Sequence, residues 1–111
     1  MAKKLKVGVI GLGSMGSTHL DIYSQISEVE VVAVADPNKS RLDGSNKAEG
    51  NISGQAQGSV VGLEAKQYID GMDLIDVPDI ELVDICVGTN LHFVFVEAAL
   101  AKGKHVLVEN H

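Results

Sequence analysis

Two rhythms alternate along the chain. Leu5 to Ile10 is an almost unbroken apolar run, the pattern of a strand buried on both faces. From Ser14 to about Ser27, Met15, His19, Ile22, Tyr23 and Ile26 recur every three or four residues and predict a helix with that face turned inward. His19, on or beside that face, reads as a packed or edge histidine rather than a ligand. Val29 to Ala35 is a second strand, ended by Asp36-Pro37-Asn38 because proline cannot continue the ladder. Gln67 to Asp70 reads as a short third strand, and Gly71 to Asp76 as one or two helical turns halted by Pro78. Asp79 to Val87 is a fourth strand. Gly88-Thr89-Asn90 then starts a helix over Leu91 to Ala101, with Leu91, Val94, Phe95, Ala98 and Ala99 turned inward and Thr89 and Asn90 as caps. Gly103 is its natural C-cap, flanked by Lys102 and Lys104, whose charge suits a helix end. His105 to Glu109 is a fifth strand.

The alternation predicts an α/β domain over residues 1–111, a doubly wound parallel sheet of about five strands covered on both faces. Arg41 to Gly62 interrupts it. A second crossover helix belongs there, yet glycines fall at 44, 50, 54, 58 and 62 among Ser, Asn and Gln. Each interior glycine costs a helix about 1 kcal/mol relative to alanine. The expectation is a short or absent helix and a mobile or irregular loop, the alternative being a helix imposed by packing.

The stretch Val7 to Gly16 carries the first chemistry. Gly11, Gly13 and Gly16 complete G-x-G-x-x-G between a strand and a helix. Gly11 permits the tight turn, Gly13 a close approach of a pyrophosphate to the backbone, and Gly16 close helix–strand packing. Leu12, Ser14 and Met15 complete the loop, whose free N–H groups and helix dipole would face phosphates. Asp36 follows Gly16 by twenty positions (16 to 36), at the end of the second strand. There a carboxylate accepts from adenosine ribose hydroxyls and repels a 2′-phosphate, which favours NAD over NADP. Arg41 keeps NADP open, since a nearby guanidinium accommodates that phosphate. Thr89, Asn90 and His92 leave the carboxyl end of the fourth strand, near the point where the strand order should reverse. Thr89 and Asn90 either bond a ribose or nicotinamide amide or simply cap the helix; His92 either faces the cofactor or is structural. Glu109 leaves the neighbouring strand at the same edge and could reach the same crevice.

Composition narrows the alternatives. The formal net charge is −6 with no basic cluster beyond Lys3, Lys4 and Lys6, which argues against a nucleic-acid surface. No run approaches the ~20 apolar residues of a membrane span, and the start lacks the features of a secretory signal. Cys86 is the one cysteine, so no internal disulfide forms; it reads as a small buried hydrophobe, and a cytoplasmic location fits. His19, His92, His105 and His111 show no metal-ligand spacing, and there is no nucleophile elbow or Walker motif.

G-V-I-G-L-G-S-M-G-S-T-H, V-V-A-V-A-D-P, V-D-I-C-V-G-T-N-L-H and A-A-L-A-K-G-K-H-V-L-V-E-N, in this order, resemble the glucose–fructose oxidoreductase / inositol dehydrogenase (Gfo/Idh/MocA) family. The resemblance covers the chain except about residues 42–66. It implies a Rossmann-like NAD(P)-binding domain of an enzyme that passes hydride from a hydroxyl of a sugar, inositol or related polyol to nicotinamide. Three departures matter. The family's E-K-P motif after the fifth strand stands here as Glu109-Asn110-His111, without the lysine that assists proton transfer. The family's C-terminal domain, which carries the substrate pocket and oligomer interface, is absent from these 111 residues. The T-P-type turn appears as Val87-Gly88.

The expectation is therefore a dinucleotide-binding domain that turns nothing over by itself, its sugar or polyol substrate belonging to a full-length parent. A stand-alone nucleotide-sensing or interaction module and a truncated piece without activity are the alternatives, with a methyltransferase further off. Apolar surface left near the fifth strand would favour homo-oligomers.

Overall fold

A computed structural model describes residues 3–42 and 64–108. The Gly-rich stretch and Glu109 to His111 lie outside the described residues. Five parallel strands, β1 (Leu5–Ile10), β2 (Val29–Ala35), β3 (Lys66–Tyr68), β4 (Leu82–Ile85) and β5 (His105–Val108), form one sheet in the order β3-β2-β1-β4-β5. The order reverses at β1, whose Ile10 lies between Ala35 of β2 and Ile85 of β4. Helices α1 (Ser14–Tyr23), α2 (Lys39–Leu42), α3 (Gly71–Ile75) and α4 (Thr89–Ala101) connect the strands.

Strand alternation divides the core into two layers. On one face Ile10, Ala33, Ala35, Val83 and Ile85 pack with Leu74 and Ile75 of α3 and Ala99 of α4. On the other, Val7, Val9, Val34 and Cys86 pack with Leu20 of α1 and Leu42 of α2. The expected double winding is present.

The structure corrects several details. Helix α1 stops at Tyr23, and Ile22 and Ile26 are exposed rather than inward, because Gly16, Ser17 and Leu20 supply its buried face. Strand β4 is limited to Leu82–Ile85. Helix α4 starts at Thr89, and Leu91 and Val94 are exposed rather than in the core; its buried contact is through Ala99, with Phe95 and Ala98 partly covered. Gly88 is the N-cap of α4 with no side-chain cap bond, so Thr89 and Asn90 are its first residues and not its caps. Gly103 does end α4, at φ +77°. Lys104, however, is buried and donates from Nζ to the carbonyls of Val77 and Ile80, both at 2.8 Å, pinning the loop before β4 instead of neutralising the helix end.

Candidate functional site: a glycine-lined cleft at the strand reversal

The chain leaves β1 through Gly11 at φ +96°, a left-handed conformation that favours glycine. Its N–H is held by the Ala35 carbonyl at 2.8 Å. A Cβ on Gly11 would also lie 2.7 Å from the Cys86 carbonyl oxygen. At Gly16 a Cβ would lie 1.8 Å from the Gly11 carbonyl oxygen, so α1 crosses the turn at a distance only glycine allows. Gly13 differs. A Cβ there would meet nothing closer than the Arg41 guanidinium at 3.5 Å, ordinary van der Waals contact. The protein's own packing does not demand this glycine; a ligand lying against the backbone would.

The N-cap of α1 is Gly13, with no side-chain cap bond and no acidic residue in the first turn. The first helical bond runs from Ser17 N–H to the Gly13 carbonyl, so the N–H groups of Ser14, Met15 and Gly16 have no acceptor within the helix. Uncapped donors and a helix dipole make an anion cradle.

Asp36 stands beside it, 2% exposed. One carboxylate oxygen accepts from the Leu12 N–H at 2.7 Å and lies 3.4 Å from Arg41 Nη1; the other accepts from the Asn38 N–H at 2.8 Å. The acid at the end of β2 is thus bonded to the glycine loop itself.

A cleft of about 650 Å³ opens at this edge. Gly11, Gly13, Ser14 and Met15 form one wall and Asp36, Pro37 and Arg41 another. Ile69, Asp70 and Gly71 lie opposite, with Cys86, Val87, Gly88, Leu91 and Phe95 at the remaining side. Leu12 and Gly16 support the turn from behind. Thr89, Asn90 and His92 are not brought to the cleft wall. They occupy the first turn of α4, where His92 Nε2 pairs with the Val87 carbonyl at 2.8 Å and braces the turn after β4. Ile69 is a cleft residue that the periodicity does not single out; Leu91 and Phe95, which the periodicity turns inward as core, line the cleft instead.

A buried polar cluster lies under the cleft on the α1 side. Asp84 of β4 is fully buried. His19 Nδ1 and the Tyr23 hydroxyl both donate to its Oδ2, each at 2.6 Å, and the Cys86 Sγ donates to Oδ1 at 3.4 Å. Burial, and then the hydrogen bond to Asp84 and its charge, push the Tyr23 phenol well above the usual tyrosine range. Cys86 is the small buried residue expected, but it also belongs to this network. The one sequence signal for the cluster was a lone aspartate inside the apolar run V-D-I-C-V.

A parallel sheet with its strand order reversing at a glycine turn, an uncapped helix N-terminus and an acid after β2 define a dinucleotide-binding α/β domain. The residues fit NAD: Gly13 leaves room against the backbone, and the Asp36 carboxylate at the end of β2 lines the same cleft as the uncapped N-terminus of α1. Residues 5–110 match the model of the oxidoreductase family with an NAD-binding Rossmann fold, GFO_IDH_MocA, and the chain belongs to that family. It is 36% identical over 108 residues to inositol 2-dehydrogenase of Salmonella typhimurium, covering 95% of this chain and 28% of that protein. It is 30% identical over 105 residues to myo-inositol 2-dehydrogenase of Thermotoga maritima, covering 95% and 28% respectively. Among solved structures, Lactobacillus casei myo-inositol dehydrogenase in complex with NAD(H) and myo-inositol superposes with a TM-score of 0.75 at 31% identity, over 95% of this chain and 28% of that one. The chain spans little more than a quarter of the length of these curated relatives.

Proposed function

We propose that this chain is the cofactor-binding domain of a polyol dehydrogenase, binding NAD with the adenosine ribose at Asp36 and the pyrophosphate at the N-terminus of α1. The observation that carries the reading is Gly13, a glycine with room for a Cβ, placed where uncapped N–H groups and the Asp36 carboxylate meet one cleft. Gly11 and Gly16 shape the turn, Leu12 ties it to Asp36, and Ser14 and Met15 offer N–H groups to phosphate. Arg41 stands over the 2′ position and tempers the preference of Asp36 for NAD over NADP.

The substrate is a sugar or polyol hydroxyl, in keeping with the inositol dehydrogenases among the relatives. Groups that bind and deprotonate it come from sequence outside these 111 residues, with Asn110 in the place of the family's lysine. The isolated chain therefore binds cofactor without turning over substrate. Thr89, Asn90 and His92 contribute at the nicotinamide end only if the first turn of α4 closes on the ligand, and Glu109, which follows β5 in sequence, is a further candidate there. Among the described residues no helix is long and apolar enough to cross a membrane; a cytoplasmic setting suits a dinucleotide-dependent reaction. Exposed Phe93 and Leu100, seven residues apart on α4, offer an apolar face for a second copy.

Titrating the chain into NADH and following nicotinamide fluorescence tests the reading. Saturable binding is expected; none at millimolar cofactor overturns it. Oxidation of myo-inositol by this chain alone would overturn the division of labour.

A further inference from the structure

His19 does not itself line the cleft, yet it stands one turn beyond the phosphate-facing end of α1, touches the lining residue Cys86 and is tied to β4. Its Nδ1 is 2.6 Å from Asp84 Oδ2 and 3.5 Å from Cys86 Sγ. Cys86 itself lines the cleft, and its Cβ is 3.7 Å from the point a Cβ on Gly16 would occupy. The path from His19 to the cradle is therefore Asp84 and Cys86 of the β4 segment on one side and a single turn of α1 on the other. His19, Asp84 and Cys86 bring nitrogen, oxygen and sulphur together within 4.8 Å. The separation of 2.6 Å is a hydrogen bond, well under the roughly 3.3 Å that two light-atom ligands of one tetrahedral zinc keep. As it stands, the cluster is a hydrogen-bonded clamp between α1 and β4.

We propose that His19 is a positioning residue for the dinucleotide site. By donating Nδ1–H to Asp84 it clamps α1 to β4 and fixes the uncapped N–H groups of Ser14, Met15 and Gly16 against the Cys86 wall. Apolar packing of α1 on the sheet through Leu20, Met15 and Tyr23 is non-directional. The N-terminal end of α1 is tied to the glycine turn by the Ser17 hydroxyl, which donates to the Leu12 carbonyl at 3.2 Å. Its bonds to β4 run from His19 and Tyr23 to Asp84. A buried hydrogen bond sets direction as well as distance. Anion binding by a helix end depends on where its N–H vectors point, and a misplacement near 1 Å costs affinity steeply. Tyr23, one turn further along α1 on the same Oδ2, extends the clamp and orients the carboxylate. The proposal rests on the NAD reading of the cleft.

The test compares three substitutions in the full chain. His19→Asn places an amide N–H near the position of Nδ1; His19→Gln carries its amide one bond further out; His19→Ala removes the donor. NADH affinity is measured by fluorescence well below each variant's Tm, with circular dichroism establishing that the protein is folded. The expected result is an NADH Kd raised about tenfold in His19→Gln and His19→Ala, and restored to within about twofold of the unsubstituted value in His19→Asn. A merely structural role would lower Tm and leave the Kd of the folded protein unchanged. Should His19→Ala fail to fold, the contrast between His19→Asn and His19→Gln decides. Equal affinity in all folded variants, or a His19→Asn variant as weak as His19→Gln, overturns the proposal while leaving the NAD reading intact. Failure of the unsubstituted chain to bind NADH overturns the reading, and the proposal with it.

Discussion

The N–H of Leu12 donates to the Asp36 carboxylate at 2.7 Å, across 24 residues of sequence. The glycine turn and the acid after β2 therefore form one bonded unit, and a change in either is felt by the other.

Asp36→Ala removes both the ribose acceptor and the partner of two backbone N–H groups. The NADH Kd is expected to rise about tenfold or more, equivalent to ~1.4 kcal/mol per decade. The fold should also lose about 1–3 kcal/mol, because the buried Leu12 N–H is left without its acceptor. Asp36→Asn keeps an acceptor oxygen and should recover most of the stability. Fluorescence titration and urea unfolding, run on the same samples, read the two effects separately.

Arg41 Nη1 lies 3.4 Å from Asp36, the acid proposed to hold the adenosine ribose. In Arg41→Ala the carboxylate loses that neutralising neighbour and repels a 2′-phosphate more strongly. The ratio of NADPH to NADH dissociation constants should increase several-fold, chiefly through weaker NADPH binding. A ratio that stays constant or falls would contradict this placement of the charge.

Gly13→Ala and Gly16→Ala should behave oppositely. The Cβ at Gly16 meets backbone at 1.8 Å, so the loss should reach or exceed the top of the usual overpacking range of about 1–3 kcal/mol. For a domain of this size each kcal/mol lowers Tm by about 4–8 °C. Gly13→Ala should keep its Tm within a few degrees and lose NADH affinity, because its Cβ enters the space over the cradle. Thermal melts with and without NADH distinguish them: the ligand-induced rise in Tm should vanish in Gly13→Ala.

The Tyr23 phenol is raised in the folded protein by burial and by Asp84. The unfolded chain therefore releases this proton at lower pH than the folded one. The stabilisation is fully present below the ordinary tyrosine value near 10 and declines as pH rises above it. Stability in alkaline buffers should fall with pH above about 10 in the unsubstituted chain. In Tyr23→Phe that decline should be shallower by about one proton. Identical slopes in the two proteins would argue against the buried bond to Asp84.

Phe93 is 70% exposed and Leu100 59%, on the outer face of α4. Sedimentation of the chain at rising concentration should reveal self-association, reduced in Phe93→Glu with Leu100→Glu. A monomer at all concentrations would mean that this face has no affinity for its own kind.

Element identity was readable where a segment's pattern had one explanation. The unbroken run Leu5 to Ile10 and the run Val29 to Ala35 became β1 and β2 at those bounds. The glycine spacing and Asp36 point to one place, and Gly11, Gly13 and Asp36 do line one cleft. The reading failed where a local signal had two outlets. Thr89 and Asn90 are good caps in isolation, but Gly88 takes the N-cap of α4. Leu91 and Val94 fit an inward helical face, yet Ala99 and Phe95 make the contact, because the small residue lets the helix approach the sheet.

Sequence by itself determined the order of strands and helices, the glycine turn and the acid twenty positions after it. Those depend on local periodicity and backbone permissiveness, which each residue carries with it. Only tertiary structure decided that Leu12 bonds Asp36, that Phe95 lines the cleft and that Lys104 anchors the loop before β4. It also decided that Asp84 sits under the cradle bonded to His19 and Tyr23, more than sixty positions away (19 and 23 to 84). Contacts between distant segments depend on how the sheet is wound, and no short stretch of the chain encodes that.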